Sequence, residues 1–83
     1  MGPNSFEGRF LRFEQINEKE YYLYLKDDQD STIQFLTLMP LDENEINMLK
    51  KDGNNIKLEY EDFYNAVEKK DVRLVKSFQP IYQ

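Results

Sequence analysis

The chain has 83 residues, a formal net charge of −5 and a pI near 4.6. That length holds one core and no second domain, and the acidic balance argues against nucleic-acid binding through bulk positive charge. Cysteine and histidine are both absent, which excludes disulfides, thiolate nucleophiles, Cys- or His-based metal sites and His-dependent acid–base catalysis.

So small a domain buries only about 60% of its unfolded-chain surface, so nearly every large apolar side chain must be used. Six Phe and six Tyr supply much of that area. No apolar run approaches the roughly 18 residues of a membrane span. Nothing marks export, so the cytoplasm is the default compartment, with an exported or periplasmic origin open if a leader has been removed. Met1-Gly2-Pro3-Asn4-Ser5 reads as a flexible leader, and residues 6–83 as a single domain.

Phe6 to Ile16 is the first predicted strand. Phe6, Gly8 and Phe10 share one parity and Leu11 and Phe13 the other, so a bulge or sharp bend is expected near Phe10-Leu11. Gly8 suits close packing at that bend. A long strand that changes face halfway can serve two sheets, as a small closed barrel requires.

Asn17 to Glu20 forms a polar turn into Tyr21–Leu38, two strands broken by Lys26-Asp27-Asp28-Gln29-Asp30-Ser31. In the second strand Tyr21, Leu23 and Leu25 alternate with Tyr22, Tyr24 and Lys26, and the leucine face is expected inward. In the third, Thr32 to Leu38, Ile33 and Phe35 fall on one parity and Leu36 and Leu38 on the other. This implies a second phase slip, or burial of both faces.

After Pro40 a helix is signalled from about Glu43 to Lys51. Asp42 is the N-cap, Glu45 the capping-box acid, Leu41 and Ile46 a hydrophobic staple, Lys50 and Lys51 suit the negative end, and Gly53 is the stop. Ile46 and Leu49 form its apolar stripe, with Met48 to one side. Ile56, Leu58 and Tyr60 then alternate with Lys57, Glu59 and Glu61 as a fourth strand. Asp62 to Asp71 reads as an irregular connection carrying Phe63, Tyr64, Lys69 and Lys70. Val72, Leu74, Val75 and Phe78 mark a fifth strand ending at Pro80, with Ile81 and Tyr82 as a docked tail.

The resulting order, β-β-β-α-β-β from Phe6 to Phe78, resembles that of an OB-fold, a five-stranded Greek-key barrel. The runs Gly8-x-Phe10-Leu11-x-Phe13 and Tyr22-x-Tyr24-Leu25-x-Asp27 also resemble those of small exported bacterial OB-like domains. An SH3-like barrel is the alternative, less suited to a helix of this length. The OB resemblance implies ligand binding across strands two and three and through the loops after strands one and four. On this chain that surface is Tyr22, Tyr24 and Lys26 with Arg12 beside them, and Phe63, Tyr64, Lys69 and Lys70 on the later loop. The competing reading puts Tyr22 and Tyr24 in the core.

Catalysis is the weakest reading. Ser5, Ser31 and Ser77 have no nearby base, and the acids Glu59 and Glu61 fit an ordinary solvated strand face. Asp27, Asp28 and Asp30 crowd one turn, but an EF-hand pattern fails: Ile33 stands where its glycine belongs and Met39 where its last ligand belongs. No cofactor and no metal is expected. The sequence is thus read as a non-enzymatic binding module, chiefly for protein, because aromatic patches with mixed charge resemble interface cores. Single-stranded nucleic acid or oligosaccharide on the Tyr22/Tyr24 face is the alternative.

Overall fold

The computed structural model describes residues 3–51 and 54–82. Five strands, β1 (Asn4–Gln15), β2 (Tyr21–Lys26), β3 (Thr32–Thr37), β4 (Asn55–Asn65) and β5 (Lys70–Ile81), and one helix, α1 (Glu43–Leu49), follow the expected order. The sheet closes as β1-β2-β3-β5-β4, with β4 pairing back onto β1. Only the β3–β5 contact is parallel, through the single pair Leu36 and Leu74.

β1 is the shared strand. Its first half, Asn4–Arg9, pairs with β4, and its second half, Arg9–Gln15, pairs with β2. The register shifts between Phe10 and Arg12, where the apolar parity changes. This bulge lets Phe10 and Phe13 both turn inward on either side of the bend. Asn4 and Ser5, expected in the leader, are instead the first residues of β1, opposite Tyr60 and Glu59.

The core is what closure leaves inside. Phe10, Leu23, Leu25, Phe35, Ile56, Leu58 and Val75 are buried in one cluster, and Leu41 and Leu49 join it from the helical segment. Leucines 23 and 25 face inward as period two requires, and Tyr22 and Tyr24 stand half-buried outside. β3 carries no phase slip. Phe35 and Thr37 are buried on its inner side, and Leu36 is half-buried on the outer side beside Leu74 of β5. The strand stops at Thr37, whose hydroxyl accepts from the Met39 amide at 3.1 Å. Leu38, expected inside the strand, is largely exposed beyond it.

α1 begins as the capping residues dictate. The Asp42 carboxylate accepts from the Glu45 amide at 2.7 Å, and Glu43 and Glu45 occupy the first turn. It ends sooner than expected, with Lys50 as C-cap and no basic residue in its last turn. The Met48 carbonyl is taken by the buried Asn54 side chain, so a carbonyl near the helix end is satisfied from the next segment. Gly53, the expected stop, lies outside the described residues.

The largest difference from the expectation is at Asp62–Asp71. This stretch is not a loop: β4 and β5 continue as an antiparallel ribbon, with Phe63 opposite Val72, Tyr64 opposite Asp71 and Asn65 opposite Lys70. Only Ala66–Lys69 form the turn, and Lys69 takes the left-handed φ of 56°. Pro80 and Ile81 are likewise strand residues, opposite Ile56 and Asn55, so the docked tail is the last part of β5. Proline is tolerated there because, among the described residues, the β3 ladder on β5 is made at Leu74 alone and does not reach Pro80. Among the described residues no helix is long and apolar enough to cross a membrane.

Candidate binding groove

The outer face of β2 and β3 is set by register. Tyr22 lies opposite Leu36 and Tyr24 opposite Gln34, and across β1 Glu14 lies opposite Tyr22 and Arg12 opposite Tyr24. The two tyrosine rings meet edge to face, centroids 6.2 Å apart. The Gln34 amide donates to the Tyr24 hydroxyl at 3.0 Å. The Arg12 guanidinium sits 4.2 Å above the Tyr24 ring, and the Lys70 ammonium stands 6.0 Å from the Tyr22 centroid. Each tyrosine therefore has a cation against its π-face.

Two loops rim this face, and both are built on an asparagine. The Asn17 side-chain oxygen accepts from the amides of Lys19 and Glu20, and its amide donates to the Glu20 carboxylate at 2.7 Å. The Asn65 oxygen accepts from the amides of Val67 and Glu68 in the β4–β5 turn. Such side-chain-closed turns fix the backbone locally. Between them lies a groove of about 210 Å³, floored by Tyr22, Gln34, Leu36 and Val72. Its rim carries Glu20, Glu68 and Asp71 with Lys70 and Arg73.

Half of the residues expected at the site are brought together: Arg12, Tyr22, Tyr24 and Lys70. Both tyrosines are half-buried on the outer face; Tyr22 forms part of the groove floor, whereas Tyr24 and Arg12 lie beside the groove. Lys26 lies at the far end of β2, opposite Thr32, and is bound at 2.9 Å to Asp30. Phe63, Tyr64 and Lys69 sit on the ribbon and its turn and do not line the groove. Gln34, Leu36, Glu20 and Val72 were not expected there. Leu36 alone left a trace in the sequence, as the apolar residue out of phase with Ile33 and Phe35.

The acidic β2–β3 turn is internally employed. Asp27 accepts from the amides of Gln29 and Ser31, and Asp30 holds a left-handed φ of 64°. Among the described residues no group of three or more acidic side chains is placed to hold a metal ion. The Lys26 hydrogen bond and charge, aided less by Arg9, hold the Asp30 carboxyl below the ordinary aspartate value, against a small opposing effect of desolvation. A depressed carboxyl contributes stability at pH above its unfolded value, and that contribution is lost as pH falls through the folded value. Carboxyl NMR should therefore show Asp30 titrating below the ordinary aspartate value. Lys26→Met should raise the Asp30 midpoint toward it; an unmoved midpoint would remove Lys26 as the cause.

No protein-family model, curated protein or solved structure matches this chain.

Proposed function

We propose that this chain is an OB-type barrel serving as a non-enzymatic binding module, with a protein segment as the ligand of the groove between its two asparagine-pinned loops. The OB reading is supported by the placement of β5 between β3 and β4, a Greek-key crossing, and by the helix joining β3 to β4. The observation that carries the binding site is the groove itself. It lies across strands two and three between the loops after strands one and four, where OB-folds take oligomeric ligands.

A protein ligand is favoured by the rim. Three carboxylates, Glu20, Glu68 and Asp71, stand among the two rim cations, and one of these, Lys70, lies 3.4 Å from Glu68. A phosphate backbone would meet more carboxylates than cations there. A mixed-charge rim around an aromatic and aliphatic floor is instead the anatomy of a protein interface. The groove lining contains no serine or threonine, which together with the missing histidine and cysteine supports a non-catalytic role. The second reading, single-stranded nucleic acid or oligosaccharide, draws on the cation-backed tyrosines.

The test is a peptide-display selection followed by amide-shift mapping of the winning peptides, run beside a mixed single-stranded DNA and a set of oligosaccharides at low salt. Peptide-induced shifts at Tyr22, Gln34, Leu36 and Val72, abolished by Val72→Glu, are expected. Shifts at those residues from DNA or sugar, with peptides mapping elsewhere, would replace this reading with the second.

A further inference from the structure

Among the described residues, one edge of the β4 ribbon has no strand paired to it beyond Tyr60, although the Asn4 side-chain amide donates to the Asp62 carboxylate there at 3.4 Å. β1 pairing ends at Asn4 opposite Tyr60, but β4 runs on to Asn65. Along Glu61–Asn65, among the described residues, β4 is laddered on its β5 side alone. On this stretch Phe63 is 40% and Tyr64 61% exposed. An open strand edge is a template for another strand.

We propose that a second copy of this chain occupies that edge, pairing antiparallel through a two-fold axis at Phe63. The sequence of the edge selects both partner and register. A two-fold normal to the ribbon keeps each face on its own side, so only residues of like parity meet and the axis must pass through a residue. An axis at Glu61 or Asp62 would set a carboxylate against itself. An axis at Tyr64 would engage only residues 63–65 of the strand. An axis at Phe63 uses residues 61–65 in full, and opposes Glu61 to Asn65 and Asp62 to Tyr64.

In that register no like charges face each other, and each acid meets a side chain that can donate a hydrogen bond. Phe63 meets its own copy. Since Phe63 already lies opposite Val72 within the ribbon, a stripe Val72–Phe63–Phe63–Val72 crosses the joint. The two carboxylates thus exclude the axes at Glu61 and Asp62, the short overlap disfavours the axis at Tyr64, and the aromatic holds the remaining one. This pairing uses a different surface from the groove and does not depend on what the groove binds.

Sedimentation equilibrium of the intact chain, from tens of micromolar to about 1 mM, is the range in which so short an edge would associate. The weight-average mass is expected to climb from 10.1 kDa toward about twice that value. The register is read with cysteines, of which the chain has none. Phe63→Cys should oxidise to a covalent dimer at least tenfold faster than Val67→Cys, although Val67 is 92% exposed, because residues opposed in a ladder lie within disulfide reach. Tyr64→Asp should abolish the mass increase by facing Asp62, and adding Asp62→Lys should restore it; the far-UV spectrum checks that each variant is folded. A mass fixed at 10.1 kDa throughout would overturn the proposal. So would equal oxidation rates at the two cysteines, or failure of the charge swap to restore association.

Discussion

Phe35→Ala is expected to remove a large part of the stability of this barrel. Phe35 is buried at the centre of the barrel, its ring 5.3 Å from Phe6 at 48° and 5.3 Å from Tyr60 at 67°. These tilted contacts join β1, β3 and β4, three strands distant in sequence. Truncating a buried Phe to Ala costs about 3–5 kcal/mol through lost transfer energy and the cavity left behind. A chain of this length has a total stability of roughly 4–12 kcal/mol. One side chain therefore commands a large part of the whole. Urea unfolding followed by far-UV circular dichroism should show the midpoint falling by roughly 3–5 M, at a slope near 1 kcal/mol/M. A Phe35→Leu variant, which keeps most of the volume, should lose less than half as much. If Phe35→Ala cost under about 1 kcal/mol, the aromatic trio would not be the centre of this core.

What was legible in the sequence was what burial writes there. Leu23 and Leu25 alternate because a closed barrel has one dry side, and the parity change after Phe10 records the bulge that lets β1 serve two sheets. Asp42 and Glu45 announce α1 because cap chemistry is local. The ribbon beyond Tyr60 left no such record. Past the end of β1 both faces of β4 meet solvent, so Asp62, Phe63 and Tyr64 carry no alternation, and the turn at Ala66–Lys69 lacks the glycine that usually marks a hairpin. It is held by pairing with β5, a property of two strands together. The groove was legible in the same proportion. Tyr22, Tyr24 and Arg12 follow from strand parity and Gln34 and Leu36 from the β2–β3 register, whereas Val72 joins them only through the β3–β5 contact. That contact is parallel and non-local, and no short sequence window contains it.

Gly8→Ala is expected to destabilise the barrel, against the usual sign of a glycine replacement outside a turn. Gly8 is not in the left-handed region, so its backbone would suit alanine, and the stiffer unfolded chain would favour the variant by about 0.4–1 kcal/mol. Space decides otherwise. A Cβ at position 8 would lie 2.5 Å from the Lys26 carbonyl oxygen and 2.6 Å from the Phe6 ring. The ring can swing aside, but the carbonyl belongs to the last residue of β2, at the seam where β1 leaves β4 and takes up β2. Relieving that contact means moving one strand relative to the other, at the 1–3 kcal/mol typical of overpacking or more. The net loss should be about 1–2 kcal/mol, seen as a fall in Tm of roughly 4–16 °C for a domain of this size. Phe6→Leu separates the two obstacles in a double-mutant cycle. If the ring were the main conflict, Gly8→Ala would become nearly neutral in the Phe6→Leu background. With the carbonyl as the obstacle, most of its cost should persist there, because the close approach of Gly8 to the Lys26 carbonyl at the strand seam leaves no room for a Cβ.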